Sequence, residues 1–291
     1  MIPAQFDYAA PDTVNEAVTL MKHSQGARIL AGGHDLLPQL KLRHLSPSLL
    51  IDLRNIPDLE GIAQNSSEDS VRIGAMTTCT AIAADDWLQG NAAALAEAAS
   101  SIGDVQVRNW ATIGGNLAYG HPAADLPPAV LVLEANIQVS GPDGQRTIAA
   151  GRFFLNAYQT ALNGSEIITS IDFSPPAGRS SSVYEKFRIP SNNYPLCGVA
   201  ARVDLAADGT VAGCLVAVTG VTDSPRRLSA VEAVLKGQLP NQQNIAQASN
   251  MASQGINFTT DLYGTGAYRA HLTSVLAQRA LTRAANQAAE A

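Results

Sequence analysis

The chain has 291 residues, 46% of them hydrophobic and 15% charged, enough apolar material to bury two or three compact cores. Its formal net charge of −6 excludes a basic nucleic-acid surface, since the densest basic run is only Lys41-Leu42-Arg43-His44. No apolar stretch reaches membrane-spanning length, and Met1-Ile2-Pro3-Ala4-Gln5-Phe6-Asp7 lacks the basic start and apolar core of a signal peptide, so the chain is expected in the cytoplasm.

The low charged fraction points to an exterior partly covered by other subunits. Cys79, Cys197 and Cys214 stand far apart with no Cys-x-x-Cys spacing, which argues against an iron–sulfur or zinc site in this chain and for buried packing cysteines. His23, His34, His44, His121 and His271 form no i, i+4 pair, so no metal site is expected.

In chain order, Asp12 is expected to cap a helix with Val14, Ala17, Val18 and Met21 on one face. A short strand over residues 27–30 runs into Ala31-Gly32-Gly33-His34-Asp35, and a helix follows from about Leu36. Leu49-Leu50-Ile51-Asp52-Leu53 reads as a buried strand, and the first unit closes near Asn55-Ile56-Pro57. The second unit opens with the strand Val71-Arg72-Ile73-Gly74, then an Ala-rich helix at residues 91–101, the stretch Ala111-Thr112-Ile113-Gly114-Gly115-Asn116, and a helix from near Ala123. Alternating segments around Ile137-Gln138-Val139 and Arg146-Thr147-Ile148 flank Pro142-Asp143-Gly144, a hairpin signal. Residues 166–173 alternate as a strand, and Pro175 to Ser182 reads as a linker. Strands near 183–188, 198–205 and 211–219, then helices around 229–236, 241–253 and 266–287, make an α+β third unit. The expected division is 1–57, 58–175 and 176–291, with no internal repeat.

Two glycine pairs carry chemistry. At Gly32-Gly33 the missing β-carbons let the backbone turn sharply and point successive N–H groups into one concavity, a site for a diphosphate; the alternative is a tight turn with Asp35 as a helix cap. The longer stretch over 106–128 combines the Thr112 hydroxyl, close backbone approach at Gly114 and Gly115, and the donor and acceptor of Asn116. Asp125 can accept hydrogen bonds from ribose or ribityl hydroxyls. A polar loop of this length with apolar interleaving is expected to be functional.

At these residues the chain resembles the FAD-binding medium subunits of molybdenum hydroxylases, a family that includes carbon monoxide dehydrogenases, quinoline and nicotine-type hydroxylases and the central domain of xanthine dehydrogenase. The likeness is strongest in residues 31–38, 49–53 and 103–128 and continues over nearly the whole chain. It implies a two-part, non-Rossmann FAD-binding fold of α+β class with a C-terminal α+β domain. In keeping with this, Gly264-Thr265-Gly266 lacks the third glycine and preceding strand of a Rossmann fingerprint. By carry-over, Ala31, Gly32, Gly33, His34, Asp35 and Leu36 wrap the FAD diphosphate from one side, and Thr112, Gly114, Gly115 and Asn116 hold it from the other. Asp125 takes the sugar or ribityl hydroxyls, Ile102 and Gly103 pack against the cofactor, and Ile168 lines the flavin. Lys186 matches a lysine close to the flavin ring, where a cation stabilises negative charge on the reduced isoalloxazine; a solvated strand lysine is the alternative. Tyr194 falls where some relatives place a ring beside the flavin, or else packs in the core. The chain departs from many relatives at Arg188-Ile189-Pro190, and at Ser191-Asn192-Asn193-Tyr194, which has no acidic residue; His34-Asp35 also replaces the more usual pairs.

The resemblance implies an electron relay. Substrate is hydroxylated at a molybdopterin centre in a large subunit, electrons cross two 2Fe-2S clusters in a small subunit, and FAD in this chain passes them to an external acceptor such as oxygen, NAD or a quinone. The absence of a cluster-binding cysteine set agrees with a separate medium subunit in a heteromeric complex, touching neither membrane nor nucleic acid. Three other readings stand beside it: a self-sufficient FAD-dependent oxidase or reductase with His121 as base, a scaffold subunit that has lost FAD, and a phosphate-handling enzyme. The last lacks the lysine and hydroxyl that follow a P-loop.

Overall fold

Three larger β-sheets and a two-stranded ribbon organise the computed structural model, which describes residues 2–65, 70–175 and 178–291. The first sheet is built from β1 (Asp7–Ala9), α1 (Val14–His23), β2 (Arg28–Leu30), α2 (Leu36–Lys41) and β3 (Leu49–Asp52), its strands parallel in the order β1-β3-β2. Helix α1 lays Ala17 and Val18 on Ile51 and Leu53. Its cap is Thr13 rather than the expected Asp12, because Thr13 has the extended backbone of a cap and its hydroxyl accepts from the Glu16 N–H. Asp12 lies one residue too early, and its own N–H is taken by the Glu16 carboxylate.

A 3-10 turn at Pro57–Leu59 leads to β4 (Ile62–Asn65), β5 (Ser70–Gly74), α3 (Cys79–Ala84), α4 (Asp86–Asn91), α5 (Ala93–Ser100), α6 (Val105–Trp110), α7 (Ile113–Tyr119) and α8 (Leu126–Val132). The chain then forms β6 (Asn136–Gly141), β7 (Gly144–Ala149), β8 (Phe154–Asn156), β9 (Gln159–Thr160) and β10 (Ile167–Phe173). The five-stranded sheet runs β4-β5-β10-β6-β7, antiparallel throughout. The expected hairpin is there, with Gly141 opposite Gly144 and Gly144 at φ 109°. Helices α3, α4, α6 and α7 were not expected, and the last two occupy what was expected to be a polar loop. Thr78, Asp85, Asp104 and Thr112 each accept a first-turn N–H, and these closely spaced caps divide residues 78–119 into short helices.

The third sheet comprises β11 (Ser180–Arg188), β12 (Pro195–Leu205), β13 (Val211–Thr219) and β14 (Arg226–Arg227), followed by α9 (Ser229–Leu235), α10 (Gln242–Ser249) and α11 (Gly266–Glu290). Part of the expected linker, residues 176–177, lies outside the described residues. The serines at its end are strand, not linker: Ser180, Ser181 and Ser182 pair with Asp204, Val203 and Arg202, and the buried Ser182 hydroxyl accepts from the Ala94 N–H. Side chains of β12 alternate between two cores. Val199, Ala201 and Val203 meet α11, while Ala200 faces the core that holds α5 and α8. This sheet is therefore covered on both faces, and Arg283 of α11 ties Glu97 of α5 to Glu185 of β11. Cys79 packs in the second core and Cys197 and Cys214 in the third, all as buried free thiols. Among the described residues no helix is long and apolar enough to cross a membrane.

Candidate functional site

Strand β2 ends at Leu30, and the chain then turns through Gly32 and Gly33 into α2. Gly33 has φ +80°, the left-handed region that favours glycine. At Gly32 a β-carbon would stand 1.8 Å from the Trp110 carbonyl oxygen, so this glycine lets the turn press directly on the end of α6. Among the described residues, no acceptor in the chain takes the N–H groups of Gly32, Gly33, His34, Asp35 or Leu36; the first bonded N–H is that of Leu37, to the Gly33 carbonyl at 2.9 Å. Asp35 has αR backbone and makes no side-chain cap bond, so the loop is not the capped turn of the alternative reading. A run of free donors on one loop is a concavity for an anion with several oxygens.

The second glycine pair behaves differently. Thr112 caps α7, and the N–H groups of Ile113, Gly114, Gly115 and Asn116 go to the Thr77 carbonyl, the Ala75 carbonyl, the Thr112 hydroxyl and the Thr112 carbonyl. This segment therefore offers close approach and one polar atom. The Asn116 Oδ1 is buried with no partner in the chain, which costs about 1–3 kcal/mol unless a ligand donates to it. The two segments wall a cleft of about 580 Å³, to which Ala31, Gly32, Gly33, His34, Asp35 and Leu36 contribute from one side and Thr112, Gly115 and Asn116 from the other. Gly114 and Ile168 lie on an adjoining apolar chamber of about 70 Å³. A diphosphate-bearing ligand fits this pattern of free donors, close glycine backbone and orphaned acceptor.

Gln39, Tyr119 and Tyr158 also line the cleft and were missed in the sequence. The Gln39 amide donates to the Tyr119 hydroxyl at 2.8 Å, and Tyr119 meets Tyr158 edge-on at 5.2 Å. Tyr158 sits in the β8–β9 turn at φ 57°, a position that no periodicity reveals. Tyr194, from the turn between β11 and β12, stacks on His121 with centroids 4.4 Å apart and planes 17° apart, so the third sheet reaches over this end. Burial lowers the His121 pKa to about 4, and its Nδ1 accepts from the Ala123 N–H at 3.0 Å. A neutral ring with Nδ1 engaged carries its hydrogen on Nε2 and has no nitrogen left to act as a base, which removes the expectation that His121 serves a self-sufficient oxidase. Burial also raises the Asp35 carboxyl, an effect partly offset by His34 and Tyr194.

Asp125, Lys186, Ile102 and Gly103 line neither chamber: Asp125 and Lys186 belong to a buried polar cluster, and Ile102 packs in the second core. Asp125 is 4% exposed at the start of α8. Its Oδ1 accepts from the Tyr184 hydroxyl at 2.7 Å, and the Lys186 Nζ lies 2.9 Å from Oδ1 and 3.0 Å from Oδ2. Lys186 donates further to the Ser101 carbonyl at 2.9 Å. Its side chain is only 9% exposed, so it is not the solvated strand lysine of the alternative reading. Burial pushes the Asp125 carboxyl up and the Lys186 ammonium down, each partly offset by the other. The Ile102 carbonyl holds Arg108 at 2.9 Å, and Gly103 turns at φ 46° against Val107. Tyr184, two residues before Lys186 on β11, carries no sequence signal that separates it from a packed strand tyrosine.

Residues 4–175 match the family model described as the FAD binding domain in molybdopterin dehydrogenase, and residues 182–284 match the CO dehydrogenase flavoprotein C-terminal domain. The chain is 36% identical to the carbon monoxide dehydrogenase medium chain of Hydrogenophaga pseudoflava over 98% of both chains. It is 32% identical to the glyceraldehyde dehydrogenase medium chain of Sulfolobus acidocaldarius, over 98% of this chain and 100% of the other. A solved carbon monoxide dehydrogenase from Hydrogenophaga pseudoflava, lacking the Mo-pyranopterin moiety, superposes with a TM-score of 0.94 at 36% identity over 99% of each chain.

Proposed function

Since the chain belongs to the family of FAD-binding medium subunits of molybdenum hydroxylases, we propose that it takes electrons from the iron–sulfur clusters of a small partner subunit and delivers them to an external acceptor. It is an oxidoreductase component whose cofactor is FAD. FAD, when bound, supplies a redox centre that passes electrons singly or in pairs without an amino-acid acid–base pair. The hydroxylation itself belongs to a molybdopterin-bearing large subunit, and the acceptor is oxygen, NAD or a quinone.

The observation that carries the cofactor assignment is the run of free N–H groups from Gly32 to Leu36 facing the orphaned Asn116 Oδ1 across one cleft. In this reading Ala31 to Leu36 cradle the diphosphate, while Thr112, Gly114 and Gly115 keep the opposite wall close enough for Asn116 to receive a ligand hydrogen. Asp125 and Lys186, given by the resemblance as contacts of the sugar hydroxyls and the ring, line neither wall and are paired to each other, so in this reading they support the flavin end and set its local charge without touching the cofactor. Ile102, Gly103, Ile168 and Tyr194 shape the surrounding surface. Residues 1–57 and 58–175 form the two halves of the cofactor-binding part, and residues 176–291 close its flavin end.

The test is the visible spectrum of the purified protein, followed by identification of what it releases on denaturation. A flavin spectrum with released FAD, and co-purification with iron–sulfur and molybdopterin subunits, is the expected result. A colourless protein that takes up no FAD, alone or with those subunits, refutes the proposal and leaves the scaffold reading in its place.

A further inference from the structure

The wall of the cleft carries one arginine or lysine among the described residues, Arg28. It stands on β2, four residues and at most about 13 Å before Gly32. Among the described residues its guanidinium has no carboxylate partner and donates only to the Ala27 carbonyl at 3.0 Å. The acids on the same wall are placed elsewhere. Glu166 is held by Arg146 in a 2.7 Å ion pair, and Asp35 sits beside His34 and Tyr194 at the aromatic end. Met21, Ile29 and Leu45 add apolar surface to the same wall.

With the flavin end at Tyr119, Tyr158 and Tyr194 and the diphosphate at Gly32 to Leu36, the remaining part of a dinucleotide is its adenosine. We propose that Arg28 recognises that adenosine, its guanidinium against the base and ribose, and that this contact lets the chain distinguish FAD from FMN. This rests on the FAD reading above. An unpaired guanidinium can stack on an aromatic base, which a flavin mononucleotide does not bring to this end of the cleft.

The test uses the protein in the assembly in which it purifies, stripped of flavin, and titrates it with FAD and with FMN by quenching of flavin fluorescence. The wild type should prefer FAD. Arg28→Ala and Arg28→Gln should each lose about tenfold in FAD affinity, the scale of a partly desolvated cation–π contact, and leave FMN affinity unchanged. Arg28→Gln keeps most of the side-chain volume on an edge strand, so a loss confined to FAD does not come from misfolding. Unchanged FAD affinity in both variants, or an equal loss for FMN, overturns the role of Arg28. A wild-type assembly that binds neither flavin overturns the FAD reading as well.

Discussion

Acid should weaken this fold through one histidine. Burial lowers His121 from its ordinary 6.5 to about 4, so the folded chain resists a proton that the unfolded chain accepts. Between those values the unfolded state binds more protons, and stability falls as pH falls; above 6.5 neither state is protonated there and nothing is lost. The full difference amounts to about 3 kcal/mol, most of it already lost by pH 4.5. Structurally, the proton would place a charge between the rings of Tyr158 and Tyr194 and displace the Ala123 N–H from Nδ1. His121→Phe keeps a ring against Tyr194 but cannot titrate. It should be about 1 kcal/mol less stable at pH 7, through the stranded Ala123 N–H, and lose less on acidification. Urea midpoints for both proteins at pH 7 and pH 4.5 measure this. Equal drops would place the acid sensitivity in the carboxylates and refute the reasoning.

Asp125→Ala leaves the Lys186 ammonium buried and unpaired, so it should cost about 3–5 kcal/mol in chemical denaturation and weaken FAD retention. Adding Lys186→Met should recover part of that stability, and a double variant as unstable as the sum of the two singles would show that the pair does not hold this region. Lys186→Met alone should keep FAD bound and shift its reduction potential in a dye-equilibration titration; an unchanged potential and electron-transfer rate would remove its assigned role. Gly32→Ala, with its new β-carbon 1.8 Å from the Trp110 oxygen, should cost about 1–3 kcal/mol and release FAD, while Gly151→Ala, with nothing within 4 Å, should leave the melting temperature unchanged. Because burial raises the Asp35 carboxyl, FAD affinity should fall as rising pH ionises it beside the diphosphate loop. In Asp35→Ser that dependence should disappear, and calorimetric titrations across the range decide it.

The sequence was legible wherever local pattern and burial agree. Strand β10 is rich in Ile because it is central in its sheet and feeds two cores; the hairpin at Pro142-Asp143-Gly144 follows from the turn itself; and the three helices after β13 show their apolar stripes. The same holds for the loop at Gly32 and Gly33, where residue type alone signals a sharp turn. Legibility failed where neighbours distant in the chain decide the outcome. Strand β1 is mostly exposed and forms by pairing with β3, so no alternation marks it. The serines of β11 read as linker until their strand partner on β12 and the α5 backbone are in place.

By itself the sequence determined the α+β class, the glycine turn at Gly32-Gly33 and the likeness to FAD-binding medium subunits. Tertiary structure alone decided which donors are free. It shows the N–H groups of the first glycine loop open and those of the second consumed, a distinction set by acceptors on Ala75, Thr77 and Thr112. It also decided that Lys186 and Asp125, 61 residues apart, share one buried cluster, and that Tyr119, Tyr158 and Tyr194 gather at one end of the cleft. Turn and helix preferences are written in neighbouring residues, whereas the accounting of buried donors, acceptors and charges depends on every element packed around them.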